Sequence, residues 1–403
     1  MEQNNKWVVT HYEKNNKSYI LSALLHGGTV TELSLEAKDA PSLLGNIYIG
    51  KVKNLAPQIG AAFVEIAEGV ICYYSLQEKE TPVVVNRRHT DTKKPLAQGD
   101  EILVQISREA LKTKAPTVTG NLNFPGKYLV LTSQKKQIGA SSKLPPEERA
   151  RLKALLSSHC AGSFGVIART NACDIEEALL LEELEKLRSC YEEVLKKGAC
   201  YSCFSLLHRQ EPGFLSALRG IPQNTLQEIV TDDLMLYEAL ADYLKEYQPW
   251  DLQKLRLYED HLLPMPKLYN LEKALEEALR ERVWLKSGAY LVIQPTEALT
   301  VIDVNTGKFE ASKKKQQTFR KINQEAAREI ARQLRLRNLS GIIVADFIDM
   351  ENPDDKYALI ETLRQELKKD PVKTVLVDMT PLGLVEITRK KVRKTLQEQL
   401  ENA

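Results

Sequence analysis

The sequence predicts a multidomain protein of mixed α+β and α/β class that includes a small β-barrel. Its 403 residues exceed the size of one ordinary domain. Short apolar runs separated by turn residues recur through 41–125, as expected for the strands of a barrel. Strand and helix patterns alternate through 281–403, which is typical of an α/β domain.

The composition is that of a soluble globular protein, since 43% of the residues are hydrophobic and 27% are charged. No apolar run approaches the roughly 20 residues that span a bilayer, and the N-terminal residues MEQNNK do not form a signal peptide. Cys200 and Cys203 have metal-ligand spacing, but no second CxxC exists, so structural cysteines are the favoured interpretation. We therefore expect a cytoplasmic protein with no membrane partner.

The first 125 residues are dominated by strand patterns. Two apolar runs flank a polar turn at 13–17, and a Gly-Gly turn follows the second run. The predicted barrel strands lie at 47–52, 61–66, 70–74 and 101–106.

Strands and helices mix between 126 and 280. A capping-box pattern from Asp174 to Glu177 predicts the start of a helix that runs to about Lys197. A further helix is predicted around 226–246.

Two apolar strands in the last region end in carboxylates: 299–305 (LTVIDVN) and 341–349 (GIIVADFID). An Asp is costly to bury alone, so Asp303 and Asp346 are expected to have a partner or to face a site. A strand–helix–strand order predicts neighbouring parallel strands whose carboxyl ends meet at one edge. Carboxylates there would suit Mg²⁺. The alternative is that each Asp caps the following helix or turn, but the nearby Asn305 favours the metal.

The segment between these strands is strongly basic, with ten Lys or Arg and three Glu in 306–337. Arg328, Arg332 and Arg335 follow helical spacing and are predicted to share one face. This face would suit RNA phosphates, although a solvated face paired with nearby glutamates is an equally good interpretation.

The predicted barrel carries the aromatic residues Phe63 and Tyr73 on short strands. Barrels of the OB type bind single-stranded nucleic acid through exposed aromatic and basic residues. Composition alone favours the alternative for Phe63, in which its side chain alternates into the core.

Several motifs, in the same order along the chain, resemble the ribonuclease E/G family, the bacterial endoribonucleases of RNA processing and decay. The motifs are GNIYIGKV (45–52) with AAFVE (61–65), TEALTVIDVNTG (296–307), EAAREIARQLRLRNLSG (325–341), DFIDM (346–350) and GLVEITR (383–389). The long string at 325–341 is a highly specific part of this resemblance.

The resemblance implies an RNase-H-like domain formed by 1–40 and 206–280. Two insertions would interrupt it: an OB-fold RNA-binding barrel at 41–125 and a sensor of 5′-monophosphate ends at 126–205. A DNase-I-like catalytic domain would follow at 281–403.

The resemblance also implies roles for particular residues. Asp303 and Asp346 would hold Mg²⁺, with Mn²⁺ as a substitute, and Asn305 would orient the site. The residues of the implied 5′-phosphate pocket are Arg169, Thr170, Gly126 and Val130. The barrel residues implied to grip single-stranded RNA are Phe63, Tyr73 and Lys112.

The expected function is a Mg²⁺-dependent endoribonuclease that cuts single-stranded RNA in rRNA and tRNA processing and in mRNA decay. The alternative is an RNA-binding protein whose catalysis is weak or lost. The family's CPxC zinc link is not found in the sequence. No zinc link is therefore expected, and a homodimer would have to form without that bridge.

Overall fold

The computed structural model describes residues 5–39, 42–78, 82–87, 94–110, 114–133, 138–160, 162, 164–307 and 315–401. The strands, in chain order, are β1 (Asn5–Lys14), β2 (Lys17–His26), β3 (Thr29–Ala37), β4 (Ile47–Ala56), β5 (Ala61–Ala67), β6 (Val70–Ser75), β7 (Glu101–Arg108), β8 (Thr117–Thr119), β9 (Asn123–Pro125), β10 (Leu129–Thr132), β11 (Ile138–Ala140), β12 (Gly165–Ala168), β13 (Leu206–His208), β14 (Leu226–Thr231), β15 (Leu255–Leu257), β16 (Arg282–Trp284), β17 (Tyr290–Pro295), β18 (Leu299–Asn305), β19 (Gly341–Asp346), β20 (Thr374–Met379) and β21 (Leu384–Arg389).

The α-helices are α1 (Pro146–His159), α2 (Glu177–Cys200), α3 (Gly213–Ser216), α4 (Leu234–Tyr247), α5 (Met265–Leu268), α6 (Leu271–Leu279), α7 (Lys315–Leu336), α8 (Pro353–Lys368) and α9 (Leu396–Glu401). Among the described residues, no helix combines the length and the apolar character needed to cross a membrane.

The chain divides into two compact units. One unit joins Met1–Ala40 to Asn224–Ala403, and the other is Pro41–Gln223. The sequence predicts that 206–223 belong with the residues that follow, whereas in the structure β13 pairs with β4 in the unit that contains the barrel. The pairing explains the difference, because backbone hydrogen bonds tie this segment to its sheet partner.

The discontinuous unit contains two sheets. Its five-stranded sheet has the order β15-β14-β1-β2-β3, and its six-stranded sheet has the order β16-β17-β18-β19-β21-β20. The long helix α7 covers one face of the six-stranded sheet, with Ile322, Ile330 and Leu334 in the same core as Ile302 and Ile343. The opposite face of this sheet carries the candidate site.

The second unit also contains two sheets. In one of them, β4, β5, β6, β8 and β7 are joined in that order, and a further pairing of β4 with β7 closes the ring. A closed five-stranded barrel within a mixed α/β chain confirms the predicted class and the predicted barrel. The other sheet has the order β11-β12-β10-β9, and helix α2 packs against it.

Two local predictions are wrong. The helix predicted around 226–246 begins only at Leu234, because 226–231 is a strand held between β1 and β15 in parallel pairing. The capping box at Asp174 is absent: Asp174 has a positive φ of 57°, and helix α2 begins at Glu177 without a side-chain cap. In the first case, pairing with neighbouring strands outweighs local helix propensity.

Candidate active site

Asp303 and Asp346 lie side by side near the carboxyl ends of two neighbouring strands. Strands β18 and β19 pair in parallel, and Asp303 is the register partner of Asp346. The predicted parallel neighbours are therefore confirmed. Ile302 and Val304 point into the core on either side of Asp303, so period-two alternation directs its carboxylate to the open face. Both aspartates are exposed there.

Asn305 fixes the orientation of the first carboxylate. Its Nδ2 donates a hydrogen bond of 2.6 Å to Oδ2 of Asp303. The two residues are separated by one position on β18, so both side chains lie on the same face of the strand. A hydrogen bond to a carboxylate is charge-assisted and favours one rotamer of Asp303.

The main chain after Asp346 is held by hydrogen bonds to a buried side-chain amide. Asn323 on α7 is fully buried, and its Nδ2 donates to the carbonyl of Ile348 at 2.7 Å. Its Oδ1 accepts from the N–H of Ile348 at 3.1 Å. This reciprocal pair holds the main chain between Asp346 and Asp349, two of the acidic residues at this edge. This contact could not be predicted from the sequence, because its partners are 25 positions apart in the chain.

The electrostatics of this edge favour a cation. Asp346 is an exposed residue, but nearby protein atoms displace part of the water around its carboxyl group, and this desolvation raises its pKa. The negative charges of Asp303 and Asp349 raise that pKa further. Like charges gathered at one edge are relieved by a bound cation, and carboxylate oxygens are the ligands that Mg²⁺ and Mn²⁺ prefer. The residues present therefore fit a divalent ion.

The three arginines of α7 occupy different surroundings. Arg328 is exposed. Arg332 forms an ion pair with Glu329 and donates to the carbonyl of Val30 on β3 at 2.8 Å. Arg335 is half-buried. Arg332 thus links α7 to a strand of its own unit, and the shared RNA-binding face stays a prediction.

The barrel presents two aromatic residues on its outer side. Phe63 on β5 and Tyr73 on β6 are direct register partners, and both are partly exposed. The core side is formed instead by the buried Val64 and Tyr74. The core-facing alternative for Phe63 is therefore wrong. Lys112, the third barrel residue, lies outside the described residues.

The implied 5′-phosphate pocket falls within the four-stranded sheet. Arg169 follows β12, and its Nη1 donates to the carbonyl of Gly126 at 2.5 Å. The exposed Thr170 has its Oγ1 3.0 Å from Oγ of Ser141. Val130 lies on β10, paired with Ile167 of β12. The structure therefore brings Arg169 to Gly126.

A carboxylate from helix α2 fills an anion-binding turn beside this pocket. Glu183 accepts backbone N–H bonds from Lys127, Tyr128 and Leu129 at 2.7 to 2.9 Å. Burial nonetheless raises the pKa of Glu183 on balance, although these hydrogen bonds and the charge of Arg169 act to lower it. The turn after β9 is thus a place where main-chain donors stabilise an anion.

The chain is similar in sequence to several known proteins. A sequence model described as the Ribonuclease E/G family matches residues 123–392. The chain is 34% identical to "Ribonuclease G" of Escherichia coli (strain K12) over 388 residues, which cover 94% of this chain and 79% of that protein. It is 33% identical to "Ribonuclease G" of Haemophilus influenzae over 386 residues, covering 94% and 78%. It is also 35% identical to "Ribonuclease E" of a Nostoc species over 358 residues, covering 88% and 52%.

Proposed function

As a member of the ribonuclease E/G family this chain is an endoribonuclease, and we propose that it cuts single-stranded RNA with the help of Mg²⁺ at Asp303 and Asp346. The observation that carries the proposal is the direct register pairing of these two aspartates on parallel strands. An RNA-binding protein without catalysis has no need for two exposed carboxylates placed together in this way.

Asp303 and Asp346 would hold the ion, and Mn²⁺ would substitute for Mg²⁺. When bound, such an ion activates a water molecule and neutralises negative charge on the scissile phosphate. Asn305 keeps the Asp303 carboxylate in one orientation through its 2.6 Å hydrogen bond. Asn323 acts through the main chain of Ile348 and is a positioning residue. Attack by water, rather than by the ribose 2′-hydroxyl, leaves 5′-phosphate and 3′-hydroxyl ends.

The barrel would supply affinity for single-stranded RNA. Phe63 and Tyr73 form a partly exposed aromatic pair on adjacent strands, and nucleobases stack on such surfaces with little regard to sequence. Lys112 would add a cation for the phosphates, and Arg328 would do so in the other unit.

The segment around Arg169 would recognise the 5′ end of the RNA. A guanidinium fork and the hydroxyl of Thr170 are suited to a terminal monophosphate. The contact between Arg169 and Gly126 supports this assignment, because it brings together two of the implied pocket residues.

We further propose the domain arrangement that the family resemblance implies: an RNase-H-like domain, a DNase-I-like catalytic domain, and two insertions. In this proposal the protein is cytoplasmic, acts on rRNA and tRNA precursors and mRNA, and forms a homodimer.

The test is cleavage of a fluorescent single-stranded RNA that carries a 5′-monophosphate, with Mg²⁺ and then with EDTA. The variant that combines Asp303→Asn with Asp346→Asn should not cleave, while its affinity for RNA stays within a few-fold of the wild type. Tight binding without cleavage by the wild-type protein would support the RNA-binding alternative. Unchanged cleavage by the double variant would refute the assignment of the active site.

A further inference from the structure

A cluster formed by Arg282, Trp284 and Tyr290 lies on the same sheet face as the acidic pair. Trp284 is the register partner of Tyr290, which in turn pairs with Asn305. Arg282 pairs with Val292, which pairs with Asp303. Partners directly opposite each other in antiparallel strands direct their side chains to the same face. Two rows across the sheet therefore connect this cluster to the active-site residues.

The three side chains form a stack in which Arg282 and Trp284 are exposed and Tyr290 is half-buried, with the two rings tilted rather than parallel. The ring centroids of Trp284 and Tyr290 are 5.1 Å apart at an interplanar angle of 56°. The guanidinium carbon of Arg282 lies 4.4 Å from the centre of the Tyr290 ring and 5.9 Å from that of Trp284. Trp284 is 63% exposed, although a tryptophan side chain is usually well buried.

The hairpin that carries the stack is held firmly in place. Glu325 on α7 accepts a 2.7 Å hydrogen bond from the N–H of Lys286, in the turn between β16 and β17. The N–H of Leu285 bonds to the carbonyl of Ala289 at 2.8 Å within the same turn. The aromatic surface is therefore presented on a rigid element, which limits the entropy lost when a ligand stacks on it.

From this arrangement we infer that Arg282, Trp284 and Tyr290 bind a nucleobase of single-stranded RNA next to the cleaved bond. The inference rests on the proposed function. Adjacent strands lie about 4.8 Å apart, so Tyr290 is one strand spacing and Trp284 about two from Asn305. A nucleotide neighbouring the scissile phosphate would lie within this span.

RNA is the expected ligand of this surface, because the positive charge of Arg282 lies beside aromatic rings on which a base can stack. The acidic edge at Asp303 and Asp346 would accept a phosphate only through a bound cation, whereas Arg282 itself offers a cation and a planar group beside the rings. Aromatic faces with an adjacent arginine are a general means of binding single-stranded nucleic acid. The stack would therefore keep the substrate on this face and position the scissile phosphate over the carboxylates.

The test pairs a protein variant with an altered RNA. Trp284→Ala is compared with the wild type on a 5′-monophosphorylated RNA and on RNAs in which one nucleotide near the cleaved bond is abasic. We expect Trp284→Ala to lower kcat/KM roughly tenfold on the intact RNA. At one position the abasic change should lower kcat/KM for the wild type by a similar factor and have little further effect on the variant. Trp284→Phe should restore most of the activity, because it restores an aromatic face.

Tyr357→Ala is the matched control, because Tyr357 is an aromatic residue of the same unit that lies on α8 and is 70% exposed. It should cleave like the wild type. The inference would be overturned if Trp284→Ala also cleaved like the wild type. It would also be overturned if, at every abasic position tested, the abasic change lowered kcat/KM of the variant by the same factor as that of the wild type. A change in oligomeric state without this coupling would assign the surface to contact between copies of the chain. Loss of cleavage in Asp303→Asn, measured alongside, tests the proposed active site separately.

Discussion

The side-chain amide of Asn323 exchanges two hydrogen bonds with the main chain of Ile348, which lies in the loop between β19 and α8 (347–352). Asn323 is fully buried on α7, so the helix that covers one face of the sheet also fixes residues on the other face. This helix-to-loop contact holds the main chain between Asp346 and Asp349 in place, while Asn323 itself is buried away from the open face.

Replacing Asn323 should therefore change the response to metal as well as stability. Asn323→Asp removes the Nδ2 donor and faces the carbonyl of Ile348 with an oxygen, which should cost about 1–3 kcal/mol of unfolding free energy. We expect the Mg²⁺ concentration for half-maximal cleavage to rise several-fold. The control is Asp233→Ala, which removes the cap of α4 and should cost about 1 kcal/mol with no change in Mg²⁺ dependence. An unchanged Mg²⁺ midpoint in Asn323→Asp would show that its role is structural only.

The ratio of cleavage rates for 5′-monophosphorylated and 5′-hydroxyl RNA tests the role of Arg169. We expect Arg169→Ala to bring this ratio towards one, because the guanidinium fork that would grip the phosphate is lost. Arg169→Lys should recover only part of the preference, since an ammonium lacks the planar fork. Arg188→Ala, on the exposed surface of α2, is the control and should keep the wild-type ratio. If Arg169→Ala kept the wild-type ratio, the site that senses the 5′-monophosphate would lie elsewhere or would not exist in this protein.

Affinity for single-stranded RNA tests the aromatic pair of the barrel. Each base that stacks on an aromatic side chain contributes about 1–3 kcal/mol, so Phe63→Ala and Tyr73→Ala should each raise Kd by roughly tenfold or more. Both side chains lie outside the barrel core, so the melting temperature should change little. Binding is best measured in the Asp303→Asn background to prevent cleavage. The control is Tyr201→Ala, which removes an aromatic side chain that is 52% exposed and should bind single-stranded RNA with the wild-type affinity. Equal affinities for all these variants would argue against stacking on the barrel.

The stability of the protein should fall on mild acidification because of His208. Burial lowers the pKa of His208; Arg219 and Lys197 add to this effect, and Glu211 opposes it. Above the unfolded-state pKa of about 6.5, His208 is neutral in both states. Below that pH, the unfolded chain takes up a proton more readily than the folded chain, so the unfolding free energy decreases until the folded-state pKa is passed.

Thermal melts at about pH 7 and about pH 5 measure this effect. We expect His208→Gln to lose less stability between these conditions than the wild type, even if its starting stability is reduced by loss of the edge contact with Phe124. His159→Gln is the control, because His159 is exposed in the same unit. Identical pH dependence in wild type and His208→Gln would show that other groups dominate.

Much of the acidic edge was predictable from the sequence. The apolar runs in 299–305 and in 341–346 predicted two strands, and the helix between them predicted parallel pairing. Both inferences rest on the spacing of apolar residues and on the order of neighbouring elements, which can be seen directly in the sequence. Asp303 and Asp346 were recognisable for the same reason, because a carboxylate at the end of an apolar run stands out.

Other features required the tertiary structure, because they depend on which surfaces are buried together. Alternation alone did not tell whether Phe63 faced the core, and the barrel's closure decided that it faces outward. The segment 226–231 became a strand because two neighbours pair with it. The partners of Asn323 and the rows from Trp284 to Asn305 join positions distant in sequence. Thus the sequence by itself determined the local elements and the acidic residues, while long-range pairing and packing decided which side chains meet, since those contacts form only when separate segments are brought together.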